Sequence, residues 1–223
     1  MDRSHISFIF LLALPLVLAT SPPFLDPLPE ILEGCERGAL KQPLQPPLSS
    51  RGTQIVDKNG EVATLQCVNW YGSHQRSFAP GGLHTKPLCD IITRIVDLGF
   101  NCVRLPYSLD LWYEDPVIQE YVVAANPRLM GMRAMQVNDI LVRGLASAGL
   151  GVMLNNHNSD AGFCCDVASE DGVWSTEKYP VEAWAEAVGG MSARYAHEAM
   201  VFAHDIRNEV RDDHSRGAGE VRR

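Results

Sequence analysis

The feature that most constrains the fold of this chain is a regular alternation of short apolar runs with longer amphipathic stretches. The apolar runs have the length and composition of buried strands, whereas the stretches between them repeat their apolar residues at helical spacing. Strands are predicted at 65–70, 100–106, 151–157 and 200–208, and helices at 86–98, 134–148 and 181–195. Strands that alternate with helices in this way form a parallel sheet with the helices packed outside it.

Two architectures share this alternation, a (β/α)8 TIM barrel and an open doubly wound sheet. A dinucleotide-binding doubly wound sheet has a Gly-x-Gly-x-x-Gly turn after its first strand, and this sequence has none there. A closed barrel needs eight strands and typically about 250 residues, whereas four strands are predicted here. The predicted fold class is therefore α/β, a partial TIM barrel of about four of the eight strand–helix units.

Local signals add detail to this prediction. An N-terminal β-hairpin is expected between 54–56 and 62–68, because Asn59-Gly60 suits a tight turn. Pro106 is expected to end the second strand, since proline cannot donate to a ladder. Residues 108–129 are expected to be a long loop.

The N-terminal segment has the pattern of a secretory signal peptide. Arg3 precedes an apolar run at 6–18, and small residues near Ala19 suit cleavage. The alternative is a membrane anchor, for which about 13 apolar residues are short. No later stretch is apolar enough to cross a membrane, so a secreted, extracellular protein is expected. The predicted segments are a signal peptide at 1–19, a proline-rich linker at 20–50, a half-barrel at 51–211 and an unstructured charged tail at 212–223.

Charge and cysteine content exclude some classes of function. The net charge of -8 argues against a nucleic-acid partner. The six cysteines permit disulfides in a secreted chain, with 15 possible full pairings. Alternatively, Cys67 and Cys102 are buried free thiols. The neighbours Cys164 and Cys165 are expected to bond to other cysteines, because a ring between adjacent residues is strained. No Cys-x-x-Cys or His-Glu-x-x-His motif is present, so no metal site and no cofactor are predicted.

Polar residues stand at the ends of all four predicted strands. They are Asn69-Trp70, Arg104, His157 and Asn208-Glu209. In a parallel barrel these ends open onto one face, which is where barrel enzymes keep their chemistry. Each residue also has a structural interpretation: Arg104 as an ion-pair partner, His157 as a loop histidine, and Trp70 and Trp174 as core. Asp205 is expected to lie within the last strand as a hydrogen-bonded polar group.

These motifs together resemble glycoside hydrolase family 5, the large cellulase family. The resemblance rests on Asn101-Cys102-Val103-Arg104-Leu105-Pro106, on Asn156-His157 and on Asp205-Ile206-Arg207-Asn208-Glu209, and it covers residues 51–211. It implies a retaining hydrolase of β-linked polysaccharide or oligosaccharide that uses two carboxylates about 5–5.5 Å apart. Glu209 would be the general acid/base, Asn208 would bind the sugar 2-hydroxyl, Arg104 would hold the nucleophilic carboxylate and His157 would line the same subsite. Asn69, Trp70 and Trp174 would contact the sugar.

Two departures from the family pattern bear on activity. Val210 replaces the proline that usually follows the Asn-Glu pair. The nucleophilic Glu of the family lies on the seventh strand, and this chain ends soon after the fourth, with Glu220 as a substitute that no predicted strand holds. The expectation is a truncated, inactive fragment of a hydrolase. The alternatives are a carbohydrate-binding pseudoenzyme and, less favoured, a different barrel enzyme. The sequence does not name the glycan.

Overall fold

The computed structural model describes residues 29–164 and 170–211. The predicted signal peptide and charged tail lie outside these residues. The described part contains the strands β1 (Ser49–Arg51), β2 (Gln54–Val56), β3 (Cys67–Asn69), β4 (Cys102–Ser108), β5 (Gly151–Asn158) and β6 (Val201–Asp205), and the helices α1 (Leu88–Asp97), α2 (Leu109–Glu114), α3 (Ala134–Ser147) and α4 (Val181–Arg194).

Strands β3, β4, β5 and β6 form one parallel sheet in that order. Val152 of β5 lies opposite Val103 on one side and Val201 on the other. A helix separates each strand from the next, so every crossover returns to the same sheet direction. The parallel sheet predicted from the alternation is therefore confirmed.

The two faces of the sheet differ sharply in polarity. On the helix-covered face, Val103, Leu105, Val152 and Leu154 are at most 1% exposed and join one core with the buried sides of the helices. In α1 the spacing of Leu88, Ile92 and Ile95 provides that buried side. The opposite face is left for polar side chains, and this face carries the candidate site. No helix in the described residues is both long and apolar enough to span a bilayer.

Pro106 does not end its strand, and the earlier prediction is wrong on this point. Pro106 pairs in register with Asn155, and β4 continues to Ser108. The carbonyl of Arg104 accepts from the Trp70 backbone at 3.0 Å, so the backbone of Arg104 faces β3. Pro106, two residues later, faces the same side, where β3 has already ended at Asn69. Its missing N–H therefore interrupts no ladder bond.

The region 108–129, expected to be a loop, contains regular structure. Ser108 Oγ accepts from the Leu111 backbone N–H at 3.1 Å and caps α2. Two short 3-10 helices follow, at Glu120–Val123 and Pro127–Leu129. These elements are too short to show helical periodicity in the sequence, and so the pattern did not reveal them.

The predicted N-terminal hairpin is present with a different strand pairing. β2 pairs antiparallel with β1, which lies before it rather than after it. The expected turn also forms, since the Gly60 N–H donates to Asp57 O at 3.0 Å, and Gly60 has a φ of 81°. Beyond that turn, one bridge between Val56 and Val62 replaces the long second arm.

The proline-rich segment is packed against the domain from Pro29 onwards, so the linker prediction is wrong for residues 29–50. Cys35 is fully buried and forms a disulfide with Cys89 in α1. The Leu40 N–H donates to Ala148 O at 3.0 Å, at the end of α3. The Leu44 side chain lies 2.8 Å from the point where a Cβ on Gly151 would stand. Proline content predicted an extended chain, whereas these buried contacts hold the segment on the amino-terminal end of the sheet.

The cysteines form disulfides, which is one of the two alternatives left open by the sequence. Cys67 and Cys102 are register partners on β3 and β4 and form a disulfide, so they are not free thiols. Cys164 is also disulfide-bonded. The expectation that it bonds to one of the four earlier cysteines is wrong, because those four are paired with one another.

Candidate active site

Polar side chains from all four parallel strands gather on the uncovered face of the sheet. Asn69 is the last residue of β3 and lies opposite Arg104 in the register. Arg104 is the third residue of β4 rather than its end, but its side chain reaches Asn208, which lies beyond the end of β6. Asn155 of β5 lies opposite Asp205, the last residue of β6. The pairing therefore brings these groups to one side of the sheet.

The guanidinium of Arg104 is the centre of this cluster. Its Nε and Nη2 donate to Asp205 Oδ2 at 3.0 and 2.6 Å. Nη2 also donates to Asn208 Oδ1 at 2.8 Å, and Nη1 donates to Asn69 Oδ1 at 3.2 Å. Three segments of the chain are thus held by one planar, permanently charged group. Asp205 is a hydrogen-bonded residue within its strand, as predicted.

A chain of hydrogen bonds continues from Asp205 to His157. Asn155 Nδ2 donates to Asp205 Oδ2 at 3.0 Å, and Asn155 Oδ1 lies 2.7 Å from His157 Nδ1. Because an amide oxygen only accepts, Nδ1 carries the hydrogen and Nε2 is left as an acceptor. Burial, and then the charge of Arg104, lower the pKa of His157 to about 4. The imidazole is therefore neutral at pH 7.

A second histidine lies against the first. The His74 ring centroid is 4.3 Å from that of His157, and the side chain is fully buried. Burial lowers the pKa of His74 to about 3, with smaller effects from His157 and Arg104. Neither ring nitrogen has a hydrogen-bond partner among the described residues. The floor of the site beside Arg104 thus consists of two uncharged imidazoles.

Asn208 and Glu209 lie just beyond the end of β6. The Asn208 N–H donates to Asn156 O at 2.9 Å, which keeps this segment beside β5. Asn208 is 7% exposed, whereas Glu209 is exposed and has a φ of 43°. A positive φ is uncommon for a residue with a side chain and is found preferentially at functional sites. Glu209 therefore stands at the rim of the cluster, adjoining the buried Asn208.

Arg207 anchors this segment from the other side. Its side chain is 1% exposed and donates to Asn156 Oδ1 at 3.0 Å, Ser159 Oγ at 3.1 Å and Asp171 Oδ1 at 3.0 Å. Asp171 Oδ1 also accepts from the Ser159 N–H at 2.7 Å. Arg207 thus joins β6 to the end of β5 and to the loop that follows it.

The two tryptophans named from the sequence have different positions. Trp70 is 7% exposed, packs in the core and donates from Nε1 to Gly81 O at 2.9 Å. Its sugar-contacting role is therefore wrong, because the ring is covered and its N–H is used internally. Trp174 is 37% exposed, and its ring centroid lies 6.2 Å from that of Trp184. Trp184 Nε1 donates to Ile206 O at 3.1 Å. Trp174 stays a candidate contact beside the segment that leads to Glu209.

Sequence analysis missed three residues of the cluster. Asn155 could have been found, because side chains two apart on a strand share a face and His157 was already a candidate. His74 has no such signal, since it lies in a loop after β3. Arg207 was overlooked because a charged residue is usually exposed, and its burial depends on Asp171, a distant residue in the sequence.

A metal ion has no evident place in this part of the chain. Within residues 29–164 and 170–211, no three His, Cys, Asp or Glu side chains are grouped so that they could hold one. The chemistry available to the cluster is that of a carboxylate, an amide, a guanidinium and neutral imidazoles. These groups bind hydroxyls and transfer protons.

A model of the cellulase family, glycosyl hydrolase family 5, matches residues 56–222. The chain belongs to glycosyl hydrolase family 5. Among its relatives, a glycosyl hydrolase 5 family protein from Chamaecyparis obtusa is 32% identical over 186 residues, and an endoglucanase from Paenibacillus polymyxa is 26% identical over 172 residues. These matches cover 76% and 77% of this chain, but 33% and 42% of the two relatives.

Solved structures of the family share the fold. The catalytic domain of the major endoglucanase from Xanthomonas campestris pv. campestris matches with a TM-score of 0.65 and 26% identity, over 72% of this chain and 45% of that one. An endocellulase from Pyrococcus horikoshii, solved with cellotetraose, matches with a TM-score of 0.65 at 22% identity, over 75% of this chain and 44% of that one. The family 5 chain thus spans less than half of these proteins, and its partial TIM-barrel fold is confirmed.

Because the pKa values of His74 and His157 are lowered in the folded state, we predict that the stability of this family 5 chain depends on pH. In the unfolded chain both titrate near 6.5, whereas their folded pKa values are about 4 and about 3. Between about pH 6.5 and 4 the unfolded state therefore binds more protons, and stability is lost as the pH falls. The expected loss is at most about 1.4 kcal/mol per pH unit for each histidine, less at the partly exposed His157. Urea denaturation at pH 7.0 and 5.0 measures it.

The control for this prediction replaces the buried imidazole. In His74→Phe the pH dependence should become shallower, because one proton-binding group is lost from the unfolded state. His84→Phe changes an exposed histidine and should leave the slope as it is. Equal slopes in all three proteins would contradict the assignment of the effect to the buried ring.

Proposed function

We propose that this chain carries the acid/base side of a retaining β-glucan hydrolase site, in which Glu209 is the general acid and base. The observation that supports this most directly is the 2.8 Å bond from Arg104 to Asn208 Oδ1, which fixes the residue next to Glu209. Membership of family 5 and the endoglucanases among the relatives support a β-linked glucan, such as cellulose, as the substrate. The uncharged amides of Asn69, Asn155 and Asn208 and the neutral imidazole of His157, which lie around the Arg104–Asp205 pair, suit a neutral sugar.

Each residue would have a distinct role in this site. Glu209 would protonate the glycosidic oxygen as the bond to the anomeric carbon breaks, and would later take a proton from the attacking water. Asn208 would donate from Nδ2 to the sugar 2-hydroxyl, with its amide plane fixed by Arg104. His157 would accept a hydroxyl hydrogen at Nε2, since its Nδ1 is bound to Asn155. Asn69 and Trp174 would contact the sugar further from the cleaved bond.

A retaining site needs a second carboxylate, the nucleophile, in addition to Glu209. Arg104 was expected to hold a nucleophilic Glu, and among the described residues the carboxylate that it holds is Asp205. Asp205 Oδ2 accepts three hydrogen bonds, two from Arg104 and one from Asn155. Hydrogen bonds to a charged oxygen stabilise it and weaken it as a nucleophile. Asp205 therefore serves the site by orienting Arg104.

The hydrogen bonding of Asp205 by Arg104 and Asn155 also favours a second candidate function, carbohydrate binding without turnover. Sugar binding would use the groups around Arg104, whereas the Oδ2 atom of the carboxylate in contact with Arg104 already accepts three hydrogen bonds. Binding and hydrolysis are separable by experiment, because binding needs the cluster alone and hydrolysis needs a free nucleophile in addition.

The proposal is tested by calorimetry with cellotetraose and the purified 223-residue chain. We expect binding, and we expect Asn208→Ala to weaken it about three- to tenfold through loss of one hydrogen bond and of the Arg104 contact. Arg128→Ala, which removes an exposed ion pair with Glu30, is the matched control and should bind as the unaltered chain does. Maltotetraose, with α-linkages, should bind more weakly. Absence of cellotetraose binding by the folded chain would refute a sugar-binding role.

We also propose that the protein is secreted. The apolar run near the N-terminus and the disulfides Cys35–Cys89 and Cys67–Cys102 support this, because such bonds persist in oxidising compartments. Recovery of the chain from culture medium with a new N-terminus near residue 20 would agree with it.

A further inference from the structure

Two exposed aromatic side chains form a surface next to the candidate site. Tyr71 follows β3 and is 42% exposed, and Phe163 follows β5 and is 81% exposed. Their ring centroids are 6.2 Å apart with an interplanar angle of 66°. Both follow the carboxyl ends of parallel strands, so they lie on the same edge of the sheet as the cluster around Arg104. We call this pair the Tyr71–Phe163 platform.

The platform is continuous with the site through stacked rings. The Tyr71 ring meets His74 edge-on with centroids 4.5 Å apart, and His74 lies 4.3 Å from His157. His157 is in turn bonded to Asn155 of the cluster. A row of four rings thus leads from solvent to the residues beside Glu209, with the buried His74 supporting its middle.

The two loops that carry the platform are fixed to each other. The Gly162 N–H donates to His74 O at 3.2 Å, and Asn158 Nδ2 donates to Gly162 O at 3.0 Å. Gln75 Nε2 donates to the Tyr71 hydroxyl at 2.5 Å, which fixes the ring and leaves its own hydrogen to donate outwards. The platform therefore stands on two fixed loops, and its Tyr71 ring is itself held, although it lies at the surface.

We infer that the Tyr71–Phe163 platform is a sugar-binding subsite that stacks a β-linked glucose unit beyond the unit bound by Asn208 and His157. The apolar face of a pyranose ring packs on an aromatic ring, and the Tyr71 hydroxyl would donate to one of its hydroxyls. This subsite rests on the proposed function. It adds the direction in which the bound glucan extends, from β6 across β5 towards β3.

The experiment compares calorimetric affinities of the full 223-residue chain for cellotetraose. Phe163→Ala and Tyr71→Ala should each weaken binding about five- to tenfold, and Phe163→Trp should restore it. Tyr121→Ala is the control, since Tyr121 is 70% exposed on the 3-10 helix Glu120–Val123, and it should leave affinity unchanged. Phe163→Ala should fold normally because its side chain is already in solvent.

The outcomes separate this inference from the proposed function. Binding that weakens in Asn208→Ala but is equal in Phe163→Ala and the unaltered chain would overturn the platform and leave the site intact. Absence of binding by the unaltered, folded chain would overturn both. Weaker binding in Phe163→Ala with full recovery in Phe163→Trp would support the subsite, because a merely structural role would not respond to ring replacement.

Discussion

The 223-residue chain is expected to release no detectable reducing sugar from cellotetraose or soluble cellulose derivatives, while still binding them. Retaining hydrolysis needs a nucleophile about 5–5.5 Å from the acid/base carboxylate. Within the described residues, the carboxylate that Arg104 holds is Asp205, and its Oδ2 already accepts three hydrogen bonds. With that oxygen engaged, the described residues beside Arg104 offer Glu209 no free carboxylate oxygen of this kind to attack the anomeric carbon.

Long incubations with product analysis by chromatography measure this prediction. Release of glucose or cellobiose that disappears in both Glu209→Gln and Asp205→Asn would contradict it and show that hydrolysis needs both carboxylates. Release that persists in both variants would indicate a contaminating enzyme. In any longer form of this protein that is active, Glu209→Gln should lower turnover of unactivated substrates by about 10²–10⁴-fold, the usual contribution of a general acid or base.

Replacing Arg207 by methionine is expected to destabilise the protein by about 3–5 kcal/mol, the cost of breaking a buried ion pair by removal of one partner. Arg207 is 1% exposed and Asp171 is 12% exposed, so the remaining carboxylate would be left largely without solvent. The oxygens of Asn156 and Ser159 would lose their donor as well. Urea denaturation, followed by circular dichroism, measures the change in unfolding free energy.

Two controls accompany the Arg207 variant. Arg128→Met removes an exposed ion pair and should change stability by less than about 1 kcal/mol. The double variant Arg207→Met with Asp171→Leu removes both charges, and it should recover part of the loss because no unpaired buried charge remains. A loss below about 1 kcal/mol in Arg207→Met would show that the Arg207 side chain does not stabilise the segment before Glu209.

Much of the sheet was predictable because its strands are buried and its helices are amphipathic. The four parallel strands and α1, α3 and α4 lie close to the predicted segments, since periodicity reflects burial directly. The failures have a common cause in contacts between distant residues. Pro106 is tolerated because β3 ends early, and the segment from Pro29 is held by Cys35 and Leu44, neither of which a local pattern reveals.

The candidate site was predictable to a similar degree. Asn69, Arg104 and Asn208 were named from the sequence and prove to be joined by hydrogen bonds. The partner of Arg104 was not predicted, because Asp205 was assigned only a local role in its strand. Trp70 was misplaced since residue type alone does not distinguish an aromatic in the core from one in a cleft.

The contacts of residues 29–50 have a consequence for how the protein is handled. Cys35 anchors this segment covalently to α1, Leu40 bonds to the end of α3, and Leu44 covers Gly151 at the start of β5. A shortened form that starts at Arg51 would lack the segment that packs against the amino-terminal end of the sheet, and it would leave Cys89 as an unpaired thiol. Expression boundaries chosen by family resemblance alone would thus remove a support that lies at the opposite end of the sheet from Glu209.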